Sequence, residues 1–223
     1  MCGRYIFAEE TTRIYKRYNI KKEPSEKQLK LDPAYNIAPG SLVPVITRNS
    51  PNRIEIMKWG LIPHWAKDPR IGYKLINARA ESVHIKPSFK SSFNTKRCLI
   101  PATGFYEWKK TNDSKMPYLI QLKSRKVFSF AGLYDIWKDA ENKKFRTFTI
   151  ITTQPNKLME PIHNRMPVIL DKTKEEIWLN NNSALDILLN LLKPFKSSEL
   201  ESFPVSTDVN NPKNQGINLT KKV

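Results

Sequence analysis

The sequence has few of the residues that build covalent or metal-based scaffolds. It contains two cysteines, Cys2 and Cys98, which is too few for a disulfide framework, and only three histidines. No Cys/His spacing is typical of a zinc site, and no glycine-rich loop is typical of phosphate binding. We therefore expect no metal and no other cofactor, and we expect Cys98 to be a buried structural thiol.

Long apolar runs are also missing. None approaches the roughly 20 residues that cross a bilayer, and the N-terminus lacks the basic and apolar regions of a signal peptide. We therefore expect no membrane partner and a cytoplasmic location. No repeat, low-complexity tract or linker divides the 223 residues, so one domain over residues 1–223 is expected.

Acidic residues are scarce relative to basic ones. There are 21 Asp and Glu against 38 Lys and Arg, which gives a net charge of +17. This balance favours a polyanionic partner, most simply nucleic acid. Much of the excess lies in scattered lysine pairs such as Lys21-Lys22 and Lys221-Lys222, which a solvated surface would also explain. The arginines beside the motifs described next are therefore more informative than the total.

Local patterning predicts an α+β domain. Apolar residues at helical spacing predict helices over Thr11–Tyr18, Ala78–Ile85, Thr173–Leu179 and Ser183–Leu192. Alternating segments predict strands over Arg4–Phe7, Leu42–Thr47, Ile54–Trp59, Phe105–Trp108, Pro117–Leu122, Lys126–Ala131, Phe145–Thr152 and Met166–Leu170. A surface loop is expected over Lys21–Asp32, and short extended segments over Phe203–Val223. We expect a single compact domain whose mostly antiparallel sheet curls towards a barrel and is flanked by helices.

Cys2 follows a removable initiator methionine. Cleavage after Met1, by an aminopeptidase or by the protein itself, would leave a thiol and a free α-amine on one residue. An α-amine with a pKa near ~7.7–8.0 is partly neutral at pH 7, and a thiol near ~8.5 is easily activated. Such a pair can capture one aldehyde twice, as an imine and then as a five-membered thiazolidine. In isolation, a small buried residue in a first strand is the better explanation of Cys2.

The stretch Asn77–Glu81 follows two apolar residues. Asn77 can donate and accept hydrogen bonds at once, and the fork of Arg79 suits a phosphate. In isolation, a helix cap at Asn77 with a surface ion pair is the better explanation.

Glu107 lies between Tyr106 and Trp108 on a predicted strand. Flanking aromatic rings would remove water from the carboxyl and raise its pKa, which suits a general acid or base near pH 7. Period-two alternation, with Glu107 directed to water, fits the pattern equally well.

The stretch Pro161–Pro167 places His163 and Arg165 between two prolines that restrict the backbone. His163 suits proton transfer near pH 7, and Arg165 suits a phosphate. A histidine satisfied by local hydrogen bonds is the competing interpretation. His64 and His84 lack this setting and receive no role, and Lys213–Gly216 alone predicts a polar turn.

Taken together, the ordered motifs resemble one family. MCGRY, YNIAPG, WGLIPHW, INARAE, RCLIPATGFYEW, IHNRMPVIL and KNQG occur in this order from residue 2 to about residue 216. This set resembles the SRAP family (SOS response-associated peptidase), the abasic-site processing proteins. The resemblance implies a compact α+β fold that binds single-stranded DNA and acts in the DNA damage response. It also implies that Cys2, freed of Met1, forms a thiazolidine crosslink with the ring-opened sugar of an abasic site.

The resemblance also implies roles for single residues. The family's catalytic residues fall on Cys2, Asn77, Glu107 and His163. Its DNA-binding residues fall on Arg4, Arg79 and Arg165, with Thr152 as a further phosphate contact and with Pro39 and Trp65 against the bases. A monomer that acts at nucleoid DNA, with the replication machinery as a further partner, follows from the same resemblance. The stretch between Trp65 and Asn77 is longer than in some members and shows one tryptophan where some have two, which leaves the DNA channel there undefined.

Two other function classes stay open at this point. An N-terminal nucleophile hydrolase, such as a glutamine amidotransferase, also begins Met-Cys-Gly, but no downstream motif here suits glutamine, whose hydrolysis does not need a charge of +17. A non-catalytic nucleic-acid binder would explain the charge without the chemistry. Ammonia release would identify the first, and a DNA complex that dissociates in denaturant would identify the second.

Overall fold

The computed structural model describes residues 2–21, 31–112 and 114–223. Met1 and most of the predicted loop Lys21–Asp32 lie outside these ranges. The described strands, β1 to β13, are Tyr5–Phe7, Ala34–Ile37, Leu42–Thr47, Ser50–Trp59, Asn77–Arg79, Arg97–Ala102, Gly104–Lys110, Lys115–Leu122, Phe128–Lys138, Lys144–Thr153, Met166–Pro167, Ile169–Leu170 and Leu200–Pro204. The α-helices, α1 to α4, are Thr11–Arg17, Pro87–Thr95, Lys172–Leu179 and Leu185–Leu191. None of these helices is long and apolar enough to cross a membrane.

Five strands close into a barrel. The hydrogen-bonded order runs β10, β4, β3, β6 and β9, and β9 pairs again with β10. All of these pairings are antiparallel except β10 with β4, and the short strand β5 also joins β10 in parallel. The expected α+β class with a mostly antiparallel, barrel-like sheet is therefore confirmed.

Closure of the barrel depends on Gly132 in β9. A Cβ added at this position would lie 2.8 Å from the carbonyl oxygen of Thr149 and 3.1 Å from the sulfur of Cys98. Strands β6, β9 and β10 can therefore approach closely only because residue 132 has no side chain. Cys98 is fully buried there, as expected.

A second, antiparallel sheet packs beside the barrel in the order β13, β8, β7, β1 and β2. Its strand β1 carries Tyr5, whose ring meets the Trp59 and Phe130 rings of the barrel edge-on at 5.4 and 5.7 Å between centroids. These contacts join the two sheets in one hydrophobic core and fix the start of the chain against the barrel.

The predicted helix over Ala78–Ile85 is wrong. Residues 77–79 form β5, which pairs with Ile150, Ile151 and Thr152 of β10, and turns follow it up to residue 85. The pairing with β10 prevails over the local helical pattern, so Asn77 caps no helix. The tail also differs from expectation, because β13 is followed by 3-10 turns at Thr207–Asn210 and Ile217–Thr220.

Candidate active site

The start of the chain is held against β7. The backbone N–H of Tyr106 donates to the carbonyl of Arg4 at 3.0 Å, and Tyr5 is clamped in the core. Cys2 lies just before this anchored segment and is fully buried. Backbone pairing and ring packing therefore determine where Cys2 lies, close to the carboxyl of Glu107.

The thiol of Cys2 is not ionised in this setting. Burial raises its pKa well above the ordinary value, and the nearby charge of Glu107 raises it further. Burial therefore disfavours the free thiolate in the folded protein. Chemistry through this sulfur needs a neighbouring base that takes the proton as the bond forms.

Glu107 is such a base by position and by pKa. Its residue is 3% exposed, which decides between the two sequence interpretations in favour of the buried carboxyl. Burial raises its pKa to about 7, although the backbone N–H of Trp108 opposes the shift by bonding the carboxylate. At neutral pH the group is present in both protonation states and can act as either acid or base.

His163 is held by the loop after β10. Its backbone N–H donates to the carbonyl of Met159 at 2.9 Å, and its Nδ1 lies 3.0 Å from the backbone nitrogen and 3.2 Å from the carbonyl oxygen of Arg165. A neutral ring can therefore carry its proton on Nε2, with Nδ1 accepting the N–H of Arg165, or on Nδ1, with Nδ1 donating to the carbonyl. Burial lowers the pKa of His163, which favours the neutral form at pH 7.

Glu107 and His163 share a cleft of about 840 Å³, which is large enough for a nucleotide-sized group. Cationic Lys110 and Lys115 line the same cleft. Cys2 and Asn77 are not among the described residues that line it. Glu107 and His163 therefore share the cleft, the buried Cys2 lies near Glu107, and the joint catalytic role of these residues stays a prediction. Within the described ranges, no group of three or more His, Cys, Asp or Glu side chains could hold a metal ion.

Asn77 and Arg79 alternate along β5. The amide nitrogen of Asn77 lies 3.5 Å from the carbonyl of Ile150, while its buried amide oxygen has no hydrogen-bond partner in the described parts of the chain. Arg79 is exposed and forms no ion pair with any described residue. Asn77 can therefore accept a hydrogen bond from a ligand, and Arg79 can receive an anion.

The guanidinium of Arg165 forms its hydrogen bonds within the protein. Its guanidinium binds both carboxylate oxygens of Glu81, at 2.6 and 3.0 Å, and the carbonyl of Thr152 at 2.5 Å. This hydrogen bonding lowers the pKa of Glu81. Thr152 is fully buried, and its hydroxyl lies 3.4 Å from both Arg165 and the carbonyl of Ala78. Arg165 joins the His163 loop to the segment after β5, and its predicted phosphate contact, like that of Thr152, stays a prediction.

Arg4 is held by the C-terminal part of the chain. Its Nη1 donates to the side-chain oxygen of Asn36 and to the carbonyl of Val209, both at 2.7 Å. The guanidinium also lies 5.8 Å from the ring of Trp108, whose indole N–H donates to the side-chain oxygen of Asn210. Sequence reasoning missed this supporting set around Arg4.

Two of the sequence motifs, YNIAPG and KNQG, contain residues that support Arg4. Asn36, from YNIAPG, donates to the carbonyls of Val209, Asn211 and Asn214 at 3.0–3.2 Å. Gln215, from KNQG, donates from its side-chain nitrogen to the carbonyl of Asn36. Its side-chain oxygen accepts the backbone N–H of Tyr35. The predicted polar turn therefore fastens the C-terminal segment to β2 and, through Asn36, to Arg4.

The two predicted base contacts lie on turns. Pro39 lies in the turn between β2 and β3 and lines an open hollow with Asn36 and Gln215. Trp65 is 51% exposed, so one part of its ring is free to contact a ligand. Their contacts with bases stay predictions.

Comparison with known proteins gives a consistent result. The family model described as SOS response associated peptidase (SRAP) matches residues 1–212. The chain is 47% identical over 222 residues to the abasic site processing protein YoqW of Bacillus subtilis, covering 98% of both chains. It is 34% identical to the abasic site processing protein HMCES of Xenopus tropicalis, over 83% of this chain and 64% of that protein.

A solved structure has the same fold. A crystal structure of a protein from Bacteroides thetaiotaomicron superimposes with a TM-score of 0.91 and 31% identity over the full length of both chains. Family match, sequence identity and fold agree with the order of motifs in the sequence. The chain belongs to the SOS response associated peptidase (SRAP) family.

Proposed function

We propose that this protein processes abasic sites in single-stranded DNA by bonding Cys2 to the sugar. The observation that supports this best is the buried carboxyl of Glu107, with a pKa near 7, beside the Cys2 thiol and in one cleft with His163. Relatives named abasic site processing proteins point to the same substrate.

The first step is removal of Met1. Hydrolysis of the Met1–Cys2 peptide bond consumes one water, releases methionine and frees the α-amine of Cys2. Glu107 is the proposed base that activates the attacking group, since its carboxyl is close to Cys2 and titrates near neutral pH. This step is a cysteine-peptidase activity directed at the protein's own N-terminus.

The second step is capture of the sugar. The abasic sugar reacts only as its ring-opened aldehyde, and the Cys2 amine attacks C1′ and loses one water to give an imine. The Cys2 sulfur then adds to the imine carbon while its proton passes to the nitrogen, with Glu107 as the carrier. The product is a five-membered thiazolidine, with a net loss of one water from the two reactants. Both nucleophiles belong to one residue, so closure is intramolecular.

His163 and Asn77 act on the sugar before capture. In its protonated form, His163 donates a proton to the ring oxygen as the hemiacetal opens, and the Glu107 carboxylate accepts the hydroxyl proton. The unpaired amide oxygen of Asn77 accepts a hydrogen bond from a sugar hydroxyl. In reverse, the same groups return protons to the adduct and release the aldehyde, which is a lyase-like reversal.

Arginines and apolar groups hold the strand. Arg79 is the exposed arginine of the site, and Arg4 lies beside Trp108 at the edge of the cleft. We propose phosphate contacts at Arg4, Arg79, Thr152 and Arg165, with Pro39 and Trp65 against bases. We further propose a monomer that meets its DNA in the cytoplasm, at the nucleoid, with replication proteins as partners.

A denaturing gel tests this function. Protein with Met1 removed is incubated with single-stranded DNA that contains an abasic site, and with intact DNA of the same sequence. A slow-migrating product should appear only with abasic DNA and should survive heat without borohydride. A complex that dissociates in denaturant would identify a non-covalent binder instead, and ammonia release from glutamine would identify an amidotransferase.

A further inference from the structure

A groove of about 660 Å³ adjoins the hollow that contains Pro39. It runs between the 3-10 turn Pro69–Lys74 and strands β4 and β10 of the barrel. Four aromatic residues line it: Trp59 is buried, Trp137 and Phe145 are half-buried with ring centroids 5.6 Å apart, and Tyr73 is 72% exposed. An aromatic ring left this exposed on an ordered turn can serve as a stacking surface for a ligand.

The turn that carries Tyr73 packs closely against the end of β4. A Cβ on Gly60 would lie 2.8 Å from the carbonyl oxygen of Gly72, and a Cβ on Gly72 would lie 2.9 Å from that of Gly60. The backbone N–H of Leu61 also donates to the carbonyl of Leu75 at 3.2 Å. The turn is therefore fixed against the end of β4, and this packing holds Tyr73 at the rim of the groove.

The charge of the groove has one sign. Four cationic side chains line it, and no carboxylate is among its described lining residues. Arg70 pairs with Asp68 and Arg146 pairs with Glu55. The other two cations, Lys58 and Lys144, form no ion pair with any residue in the described part of the chain. A groove with aromatic rings and uncompensated cations has the chemistry that binds single-stranded nucleic acid without sequence preference.

The groove is continuous with the proposed DNA site on two sides. Lys58 and Tyr73 also line the hollow that contains Pro39, one of the two predicted base contacts. The indole N–H of Trp137 donates to the carbonyl of Ala66 at 2.7 Å, next to Trp65, the other predicted contact. Pro39 therefore lines a hollow that adjoins this groove, and Trp65 directly precedes a residue that is bonded to the groove lining.

The distance between the site and the groove can be measured along β10. Its residue Ile150 pairs with Asn77 of the site, and the residues of β10 that line the groove run from Lys144 to Thr147, six to three residues earlier. At ~3.3 Å per residue, Lys144 lies about 20 Å from Ile150 along the strand, so a DNA strand would have to extend several nucleotides beyond the lesion to reach Lys144.

We propose that this groove binds the single-stranded DNA that flanks the abasic site. A base stacks on Tyr73, and the phosphates on either side meet Lys58 and Lys144. The inference rests on the proposed function and deepens it, because it assigns a second DNA subsite to the stretch that is longer here than in some family members.

Binding of two oligonucleotides tests the inference. Each carries a central, unreactive abasic analogue; one is about six nucleotides long and the other about twenty, which brackets the site sizes of single-strand binders. Affinities are measured for wild type, Tyr73→Ala, Tyr73→Phe and the double variant Lys58→Ala/Lys144→Ala. Lys126→Ala, on the exposed turn before β9, is the charge control.

Tyr73→Ala should weaken binding of the long oligonucleotide about tenfold, as expected for the loss of one base–aromatic stack. The short oligonucleotide should bind as it does to wild type, and Tyr73→Phe should keep both affinities. The lysine double variant should reduce the salt slope for the long oligonucleotide by about 1.4, from ~0.7 per lost phosphate contact. Lys126→Ala should leave that slope unchanged.

Equal affinity of wild type and Tyr73→Ala for the long oligonucleotide would overturn the inference. So would a reduction of the salt slope by the lysine double variant that is as large with the short oligonucleotide as with the long one. A crosslinking gel with the short reactive oligonucleotide separates this failure from that of the proposed function. If Tyr73→Ala still crosslinks while affinities are equal, only the flanking subsite is wrong. If wild type neither binds nor crosslinks, both proposals are wrong.

Discussion

The buried carboxyl of Glu107 should make the stability of the protein depend on pH. Burial raises its pKa from 4.5 to about 7, so the folded state holds this proton more tightly than the unfolded state does. Stability from this group is fully present below about pH 4.5 and is lost as pH rises through about 7. At ~1.36 kcal/mol per unit, the loss is about 3 kcal/mol by pH 8.

Glu107→Gln removes this titration while nearly preserving shape. Urea unfolding of both proteins at pH 5 and pH 8 gives the change in the free energy of unfolding. The variant should gain up to about 3 kcal/mol relative to wild type between the two pH values. Glu141→Gln, in the exposed turn between β9 and β10, is the control for general charge effects. A stability difference between Glu107→Gln and wild type that does not change with pH would refute the buried-acid interpretation.

The remaining predictions concern single side chains. His163→Ala should slow crosslinking or its reversal by ~10²–10⁴ in single-turnover assays, with affinity for intact DNA unchanged; an unchanged rate would remove its role as proton donor. Arg79→Ala should weaken single-stranded DNA binding similarly across sequences and reduce the salt slope by about 0.7, which a salt titration measures. Arg97→Ala should cost about 3 kcal/mol in urea unfolding, because the buried Arg97 guanidinium donates to four carbonyls at the ends of α2 and α3, and those of Phe93 and Trp178 belong to buried residues.

Local pattern predicted most of the elements. Leu42–Thr47 forms a strand with the bounds expected, and the late helix Lys172–Leu179 begins one residue before its predicted start. Helix α2 was not predicted from the sequence, because the apolar side chains of Pro87–Thr95 that indicate a helix are only Phe89 and Phe93, four residues apart. Strand β6 was also not predicted; in it, Arg97 is buried at the first position and bonded to helix ends.

Closure of the barrel and the state of the site depend on contacts between distant residues. Pairing of β5 with β10 turned the predicted helix at Ala78 into a strand, and Gly132 allows the strands to close. The types of side chain at Cys2, Glu107 and His163 were visible in the motifs. Whether Glu107 was buried could not be decided until β7 was placed beside the N-terminus, because alternation allowed either face.

Mass spectrometry of the adduct tests the central claim most directly. Wild-type protein without Met1 is crosslinked to abasic DNA, digested with trypsin and nuclease, and compared with Cys2→Ala and with protein that retains Met1. The sugar should be found on an N-terminal Cys2 peptide, with the loss of one water, and neither comparison protein should give a heat-stable adduct. An adduct mapped to a lysine, or one equally stable in Cys2→Ala, would contradict it.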